Sequence, residues 1–353
     1  MAEPFPIERI ASRAAFAARQ GARVAWFIGH GMVMRRLRKS AGSGKAPPKT
    51  DYPVPSDRRI LADMRRLFER DLANAEAGLY PLPRDRDGPL MQQLARTRAF
   101  FADLPRVHAR REENRHHEVL NETNRGKRPR YYLQNFHFQS GGWLSEESAR
   151  LYDLQVEVLF KGSGNAMRRQ LLVPLAEFVR GRDQRKMRLV DLGCGTGRFL
   201  DSVAEAFPRL GLVGIDLSGS YINEARRHLK RRPRVGLAVA KAEELPLAGE
   251  SVDGFTAVFL FHELPPKVRL AVAGEIFRVL RPGGRFLLLD SLQIGDIPDY
   301  DGLLDVFPQS FHEPYYAGYV RADLAKLFAK AGLVRIKDEP VFMSKISAFE
   351  KSA

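Results

Sequence analysis

The sequence predicts an α/β fold built on a seven-stranded, mostly parallel sheet. From Lys186 onward, apolar runs typical of strands alternate with amphipathic segments typical of helices, which is the pattern of a parallel sheet covered on both faces. The last two strands are close in sequence, so we expect a hairpin that gives the sheet an antiparallel edge strand. The predicted strands are 188–192, 211–216, 235–240, 254–260, 285–290, 333–338 and 345–350, and the predicted helices are 198–206, 219–231, 266–280 and 320–331.

The first of these strands leads into a turn with alternating glycines, Gly193, Gly195 and Gly197. Glycine allows a tight turn, and the missing Cβ atoms leave room for a ligand against the main chain. The helix that begins near Arg198 points its free N–H groups and positive dipole end at that ligand. This is a nucleotide-type cofactor site at the carboxyl end of a strand. A dinucleotide site needs a glycine where the chain has Arg198, so that class is excluded.

The turn, D-L-G-C-G-T-G at 191–197, resembles motif I of class I S-adenosylmethionine (SAM)-dependent methyltransferases. Two later segments, A-E-E-L-P at 242–246 and R-V-L-R-P-G-G at 278–284, resemble the ubiquinone/menaquinone C-methyltransferase-like family, methyltransferase type 11. The resemblance covers most of residues 186–290. It implies a Rossmann-like fold, an enzyme that transfers methyl groups, and SAM as the cofactor, but it says little about the substrate.

The resemblance also implies roles for individual residues. Asp191, Gly193 and Gly195 would hold the methionine part of SAM, Asp216 would hold the ribose, and Ala242 and Glu243 would edge the adenine. For Asp216, the alternative is that it caps the helix that follows. The expected cofactor-binding residues are Asp191, Gly193, Cys194, Gly195, Gly197, Asp216, Leu217, Ala242, Glu243 and Phe259.

The fourth strand ends in F-H-E-L-P-P at 261–266, and in the fold of the family this end faces the methyl group. His262 titrates near neutral pH, so it is the first candidate for a catalytic base. Glu263 would orient His262 or bind substrate. The alternative for His262 is a structural hydrogen bond at the end of the strand. His312, in the long stretch after the fifth strand, is a further catalytic candidate.

Residues 131–165 are expected to cap the cofactor pocket. The segment 131–143 holds five aromatic residues and a histidine but no charge, in contrast to the Arg-rich stretch before it. The alternative is an aromatic core that joins the two halves of the chain. The expected substrate-pocket residues are Phe136, His137, Trp143, Tyr315 and Tyr316.

The basic charge of the chain is confined to its N-terminal half. Residues 1–190 hold 36 Lys and Arg against 21 Asp and Glu, whereas residues 191–353 hold 21 of each. This asymmetry favours a polyanionic partner, either a membrane surface or nucleic acid. Residues 7–39 predict a basic amphipathic helix that lies on an anionic bilayer through Trp26, Phe27 and Ile28, or alternatively packs on its own protein. The basic cluster at 125–130 either grips phosphates or forms a solvated loop.

We expect three regions: a basic amphipathic helix and linker (1–56), a helical cap region (57–185) and a SAM-binding methyltransferase domain (186–353). One cysteine, Cys194, excludes internal disulfides and a Cys-based zinc site and fits a reducing compartment. No metal site is expected. The expected location is the cytoplasm, with peripheral association with the inner face of a membrane as a further expectation. The sequence does not indicate an oligomeric state.

The favoured function is methyl transfer to a small, apolar molecule at a membrane surface. One alternative is an RNA ribose methyltransferase that binds nucleic acid through the basic half. The other is a SAM-binding regulator without catalysis.

Overall fold

The structure is a computed structural model that describes residues 6–40, 49–85 and 87–352. Its sheet has seven strands in the order β3-β2-β1-β4-β5-β7-β6. The strands are β1 (Arg188–Leu192), β2 (Gly211–Asp216), β3 (Val235–Val239), β4 (Val252–Val258), β5 (Leu280–Ser291), β6 (Leu333–Val341) and β7 (Ser344–Lys351). Strands β1 to β5 pair in parallel, whereas β7 is antiparallel to both β5 and β6. The predicted fold class is confirmed, with the antiparallel strand one place in from the edge strand β6.

The helices fall into two groups. Before the sheet lie α1 (Pro6–Ser40), α2 (Asp57–Glu76), α3 (Leu90–Glu112), α4 (Glu146–Leu159), α5 (Gly164–Gln170) and α6 (Leu172–Val179). Within the sheet region lie α7 (Arg198–Ala206), α8 (Gly219–His228), α9 (Pro266–Val279), α10 (Asp301–Ser310), α11 (Tyr316–Tyr319) and α12 (Leu324–Lys330). The first group confirms the predicted helical N-terminal region. Residues 1–5 and 41–48, part of the predicted helix-and-linker segment, lie outside the described residues.

The sheet is buried on both faces because successive side chains along its strands point alternately into two apolar layers. On β1, Leu189 belongs to one cluster of buried residues, whereas Val190 and Leu192 belong to the other. The first cluster also contains Phe178 of α6, so helices before the sheet complete one of its two cores. This packing fixes the N-terminal half against the sheet and thereby against the carboxyl ends of its strands.

Helix α1 packs against the rest of the protein. Phe27 is buried in an apolar cluster with residues of α3 and α4, and Trp26 packs against that cluster. Arg23 is also buried and forms ion pairs with Asp87 and with Glu157, the latter at 3.2 Å. Of the two alternatives for this part of the predicted helix, packing on its own protein is the one observed, and a bilayer contact through Phe27 is wrong. No helix among residues 6–40, 49–85 and 87–352 combines the length and apolar content needed to cross a membrane.

Candidate active site

The glycine turn after β1 has left-handed backbone at all three glycines. The φ angles are +63° at Gly193, +53° at Gly195 and +78° at Gly197, a region that side chains with a Cβ rarely adopt. A Cβ at Gly193 would lie 2.9 Å from Leu260, whereas one at Gly195 would meet only a backbone oxygen at 4.0 Å. The main chain at Gly195 is therefore open toward a ligand.

Gly197 serves helix packing. A Cβ there would lie 2.8 Å from the side chain of Leu229 and 3.4 Å from Ala225, next to α8. It does not line the cavity beside the turn. Gly193 and Gly195 thus line the cavity, whereas Gly197 lies between helices.

The carboxylate of Asp216, at the end of β2, closes the turn from the neighbouring strand. Its two oxygens accept hydrogen bonds from the backbone N–H groups of Gly195 (2.9 Å) and Ser218 (2.8 Å). The helix cap is Ser218, whose hydroxyl accepts from the N–H of Tyr221, so the alternative role of Asp216 as the cap is wrong. A carboxylate has about four acceptor positions, and Asp216 therefore keeps capacity for two vicinal hydroxyls. Burial raises the pKa of this carboxyl.

Asp191 lies beneath the turn at the end of β1. Thr256, its partner on β4, donates a hydrogen bond to Oδ1 at 2.7 Å. Only 2% of Asp191 is exposed, and burial, together with the charge of Asp216, raises its pKa to about 7 despite the hydrogen bond from Thr256. A buried carboxyl with one unused oxygen suits the ammonium group of an amino-acid moiety.

A cavity lies beside the turn, at the carboxyl ends of β1, β2 and β4. Nine of the ten expected cofactor residues line it: Asp191, Gly193, Cys194, Gly195, Asp216, Leu217, Ala242, Glu243 and Phe259. Lys241 lies next to the predicted adenine edge, and its ammonium group pairs with Glu244 at 3.1 Å. The bare main chain at Gly195 and the spare acceptor positions of Asp216 fit a nucleoside whose ribose binds that carboxylate.

A cluster of aromatic side chains, three from the N-terminal half and one from α8, also lines the cavity. It consists of Phe136, Trp143, Tyr152 and Tyr221, all of which line the cavity. The Trp143 ring lies 5.4 Å from those of Tyr152 and Tyr221 in edge-on contacts. The Ser218 hydroxyl donates to the carbonyl oxygen of Trp143, which ties this cluster to the start of α8. Side chains of residues 131–165 thus line the cavity and also pack against α8, and their role as a cap over a bound cofactor stays a prediction.

Two further contacts join residues before the sheet to residues that line the cavity, and the sequence indicates neither of them. Tyr131 donates to Glu243 at 2.8 Å. Asp153 of α4 accepts hydrogen bonds from Thr196 at 2.6 Å and from Arg198 at 2.7 Å. Tyr131, Asp153, Thr196 and Arg198 all line the cavity. These contacts depend on how the chain before the sheet packs against it, which the local spacing of residues in the sequence does not show.

His262 is held by the end of β5. Its Nδ1 is hydrogen-bonded to Asp290, whose other oxygen accepts the N–H of Phe261 at 2.7 Å. Burial alone would lower the pKa of His262, but the carboxylate of Asp290 outweighs it and the net shift is upward. His262 does not line the cavity, and the structural hydrogen bond considered for it is present. Its Nε2 lies 3.9 Å from Glu263, which does line the cavity.

His137, Glu263 and Glu313 come together next to the cavity, and we call them the histidine–carboxylate cluster. One possible ligand atom from each lies within 4.8 Å of the other two. His137 is hydrogen-bonded to Glu313 and lies 3.9 Å from Glu263. Burial and the neighbouring Glu313 raise the pKa of Glu263 well above its usual range. For His137, burial lowers the pKa, but Glu313 outweighs it and the net shift is upward.

Besides Gly197 and His262, four predicted residues do not line the cavity: His137, His312, Tyr315 and Tyr316. His312 stacks on His116 at 3.9 Å between ring centroids, and its Nε2 is hydrogen-bonded to Gln134. Burial and the nearby His116 lower its pKa to about 4, so the structure does not support His312 as a catalytic base. Tyr316 is buried with its hydroxyl 2.7 Å from Ser291, and the hydroxyl of Tyr315 accepts from Gln134. Neither tyrosine lines the cavity.

The chain is similar to known methyltransferases over the region of the glycine turn. Residues 189–284 match the family described as "Methyltransferase domain". The ubiquinone/menaquinone biosynthesis C-methyltransferase UbiE of Syntrophotalea carbinolica is 38% identical over 107 residues, 30% of this chain and 44% of that protein. The UbiE protein of Methylobacterium nodulans is 30% identical over 162 residues, 45% of this chain and 62% of that protein. The malonyl-[acyl-carrier protein] O-methyltransferase of Methylococcus capsulatus is 35% identical over 120 residues, 34% of this chain and 43% of that protein.

The fold, the glycine turn and these matches identify the sheet region as a class I, SAM-dependent methyltransferase domain. The domain is of the type found in the ubiquinone/menaquinone C-methyltransferases. The chain spans about half the length of the curated relatives it matches.

Proposed function

We propose that this protein transfers a methyl group from SAM to a small, apolar molecule. The observation that carries the proposal is that one cavity is lined by the open glycine turn, by Asp216 and by the aromatic cluster. The glycine turn and Asp216 suit a nucleoside that carries an amino-acid moiety, and the aromatic cluster offers apolar surface for the methyl acceptor.

The cofactor, when bound, supplies a methyl group on a positively charged sulfur. The chain contributes binding and orientation: Asp216 accepts the ribose hydroxyls, and Asp191 lies where a methionine ammonium group would bind. Rapid transfer requires the acceptor within roughly 3–3.5 Å of the methyl group and in line with the bond that breaks. Glu263, at the edge of the cavity, is the ionisable group placed to bind or deprotonate the acceptor.

The class of acceptor follows from the other side chains around the cavity. Apart from the glycine turn, the cavity lining that comes from the N-terminal half is mainly aromatic: Tyr131, Tyr132, Phe136, Trp143 and Tyr152. Such a lining suits a ring-containing or prenyl-bearing molecule. The relatives include enzymes named for C-methylation and one named for O-methylation, so similarity alone leaves the methylated atom open.

A membrane surface is the proposed source of the acceptor. The last turns of α1 expose Met32 and Val33, 53% and 40% accessible, beside the exposed Arg35 and Arg36. Apolar and cationic side chains in this arrangement favour peripheral binding to anionic lipid. The protein is then proposed to work in the cytoplasm at the inner face of a membrane.

A second candidate function, methylation of RNA ribose, is favoured by one observation. The basic residues Arg125, Lys127 and Arg130 are exposed and directly precede Tyr131, which lines the cavity. A cationic loop at the mouth of a methyl-transfer site suits a phosphate backbone.

Labelled methyl transfer tests these proposals. The protein is incubated with SAM labelled on its methyl group and either a membrane-lipid extract or total RNA, and the label in each pool is counted. Label in the lipid pool supports the favoured function, and label in RNA supports the second candidate. If SAM binds but neither pool is labelled, the result favours the third alternative, a SAM-binding regulator without catalysis.

Variants separate cofactor binding from turnover. Asp216→Ala should abolish SAM binding in calorimetry, because the ribose hydroxyls lose their acceptor, whereas the matched surface variant Glu205→Gln should bind normally. His262→Ala should leave SAM binding intact and slow turnover. Unchanged turnover in that variant would remove His262 from the catalytic residues.

A further inference from the structure

We propose that the histidine–carboxylate cluster binds a divalent transition-metal cation beside the cavity. Its three side chains come from separate parts of the chain: His137 precedes the first strand, Glu263 follows β4 and Glu313 follows α10. One ligand atom from each lies within 4.8 Å of the others. Ligands about 2.1 Å from a shared ion lie roughly 3–4 Å apart, so the ion would replace the hydrogen bond between His137 and Glu313 and would need only small side-chain shifts.

The types of ligand atom define the class of cation. One imidazole nitrogen and two carboxylates form a nitrogen–oxygen set that suits Zn²⁺, Mn²⁺ or Fe²⁺ better than a soft ion. Three protein ligands leave coordination positions open, as catalytic sites do. Glu263 lines the cavity, so an open position faces the space where the acceptor is proposed to bind.

The second observation is an unsatisfied carboxylate oxygen. The side chain of Glu313 is 0% exposed, and its Oε2 has no hydrogen-bond partner among the residues that the structure describes. A buried acceptor left unpaired is costly, and a carboxylate is more costly than a neutral group. A cation within the cluster would pair this oxygen.

The guanidinium of Arg269 donates to the carbonyl oxygens of Phe261 and Tyr315 rather than to the carboxylates of the cluster. Two carboxylates and one histidine therefore share a largely buried space with a net negative charge when both carboxylates are ionised. A divalent cation balances that charge.

His262 supplies a further supporting feature. Asp290 holds its Nδ1, and its Nε2 lies 3.9 Å from Glu263. Metal-binding histidines usually have the other ring nitrogen fixed by a carboxylate in this way. His262 lies outside the cluster and is placed beside one of its members, Glu263.

Metal binding is measured on the full chain without SAM, so the result is independent of methyl transfer. The protein is stripped with a chelator, and Mn²⁺ or Zn²⁺ is titrated by calorimetry, with bound metal counted by mass spectrometry. The wild type should bind one equivalent of at least one of these ions. Glu263→Gln and Glu313→Gln should each weaken that binding at least tenfold.

A matched control is His228→Gln. His228 lies 3.9 Å from the carboxylate of Asp201, the same separation as between His137 and Glu263, but it lies outside the cluster. This variant should bind the ion as tightly as the wild type. Because Glu313 is buried, the fold of each variant is checked by circular dichroism. Glu263 is partly exposed, so its replacement by Gln should disturb the fold less than the replacement of Glu313.

Fluorescence gives a local readout. In a Trp26→Phe background, Trp143 is the remaining tryptophan, and its ring lies 5.4 Å from that of His137. Co²⁺ should quench its emission with saturation at one equivalent, and Glu263→Gln should remove the saturable quenching.

The proposal is overturned if the wild type binds neither Mn²⁺ nor Zn²⁺, or if folded Glu263→Gln and Glu313→Gln bind them as the wild type does. Intact SAM binding in that case would leave the proposed function standing. Metal binding without SAM binding would support the metal site and contradict the proposed function.

Discussion

Asp153 of α4 accepts hydrogen bonds from both the hydroxyl of Thr196 and the guanidinium of Arg198, at 2.6 and 2.7 Å. The two donors belong to the glycine turn and to the first residue of α7, so one carboxylate joins the helical N-terminal half to the cofactor site. Burial would raise the pKa of Asp153, but the charges of Arg198 and Arg168 and the hydrogen bonds from Thr196 and Arg198 together outweigh it and lower that pKa to about 2.

Asp153→Ala should therefore weaken cofactor binding as well as folding. Loss of two charge-assisted hydrogen bonds at a largely buried site is expected to cost about 1–3 kcal/mol of unfolding free energy. If about 1.4 kcal/mol of the lost stabilisation also acts on cofactor binding, SAM affinity should fall about tenfold. Urea unfolding and calorimetry measure the two effects. Unchanged affinity would show that the cap does not position the turn.

Arg169→Met should destabilise the protein strongly. The Arg169 guanidinium is buried between Asp71 of α2 and Asp85, with contacts of 2.6 Å to each. Its removal leaves two buried carboxylates without this cation, at an expected cost of about 3–5 kcal/mol. Arg65→Met is the control, because Arg65 pairs with Glu69 on the surface and should cost less than about 1 kcal/mol. Equal shifts in the two urea midpoints would contradict the prediction.

Asp191 should give the protein an unusual pH dependence when no cofactor is bound. Its pKa is about 7 in the folded state against an ordinary value of 3.8. Between these values the folded state holds a proton that the unfolded state has lost, so the free energy of unfolding falls as pH rises. The penalty is complete above pH 7 and amounts to at most about 4 kcal/mol.

Asp191→Asn removes this titration while keeping an acceptor for Thr256. The difference in unfolding free energy between the wild type and this variant should be constant below pH 4 and should change across pH 4–7 in favour of the variant. A difference that does not depend on pH would mean that Asp191 is ionised in the folded state.

The end of α1 should control membrane binding. Replacing the exposed Met32 and Val33 with Glu removes apolar surface and adds negative charge beside Arg35 and Arg36. We expect the double variant to sediment less with vesicles that contain anionic lipid, with a change in stability of less than about 0.5 kcal/mol. Phe27→Ala, at a buried position, should instead cost about 3–5 kcal/mol. Equal sedimentation of wild type and double variant would place the membrane contact elsewhere or exclude it.

Much of the sheet region is predictable because its information is local. The apolar run at 189–192 and the glycines at 193 and 195 define strand and turn within one short segment. The boundaries are less exact: the helix predicted at 219–231 ends at His228, and the one predicted at 320–331 begins at Leu324.

The histidine–carboxylate cluster shows what local patterns leave out. His137 and Glu313 are hydrogen-bonded although 176 residues separate them, and both lie in irregular segments without hydrophobic periodicity. His312 and Glu313 are adjacent in the chain, yet the first stacks on His116 and the second enters the cluster. Which of two neighbouring residues enters the cluster depends on tertiary packing, which local sequence patterns do not contain.

A crystal structure of the protein with S-adenosylhomocysteine tests the proposed cofactor site most directly. We expect the ribose hydroxyls to lie within hydrogen-bond distance of Asp216 and the amino-acid part to lie against Gly193 and Gly195. A nucleoside bound elsewhere, or an empty cavity at saturating ligand, would contradict it.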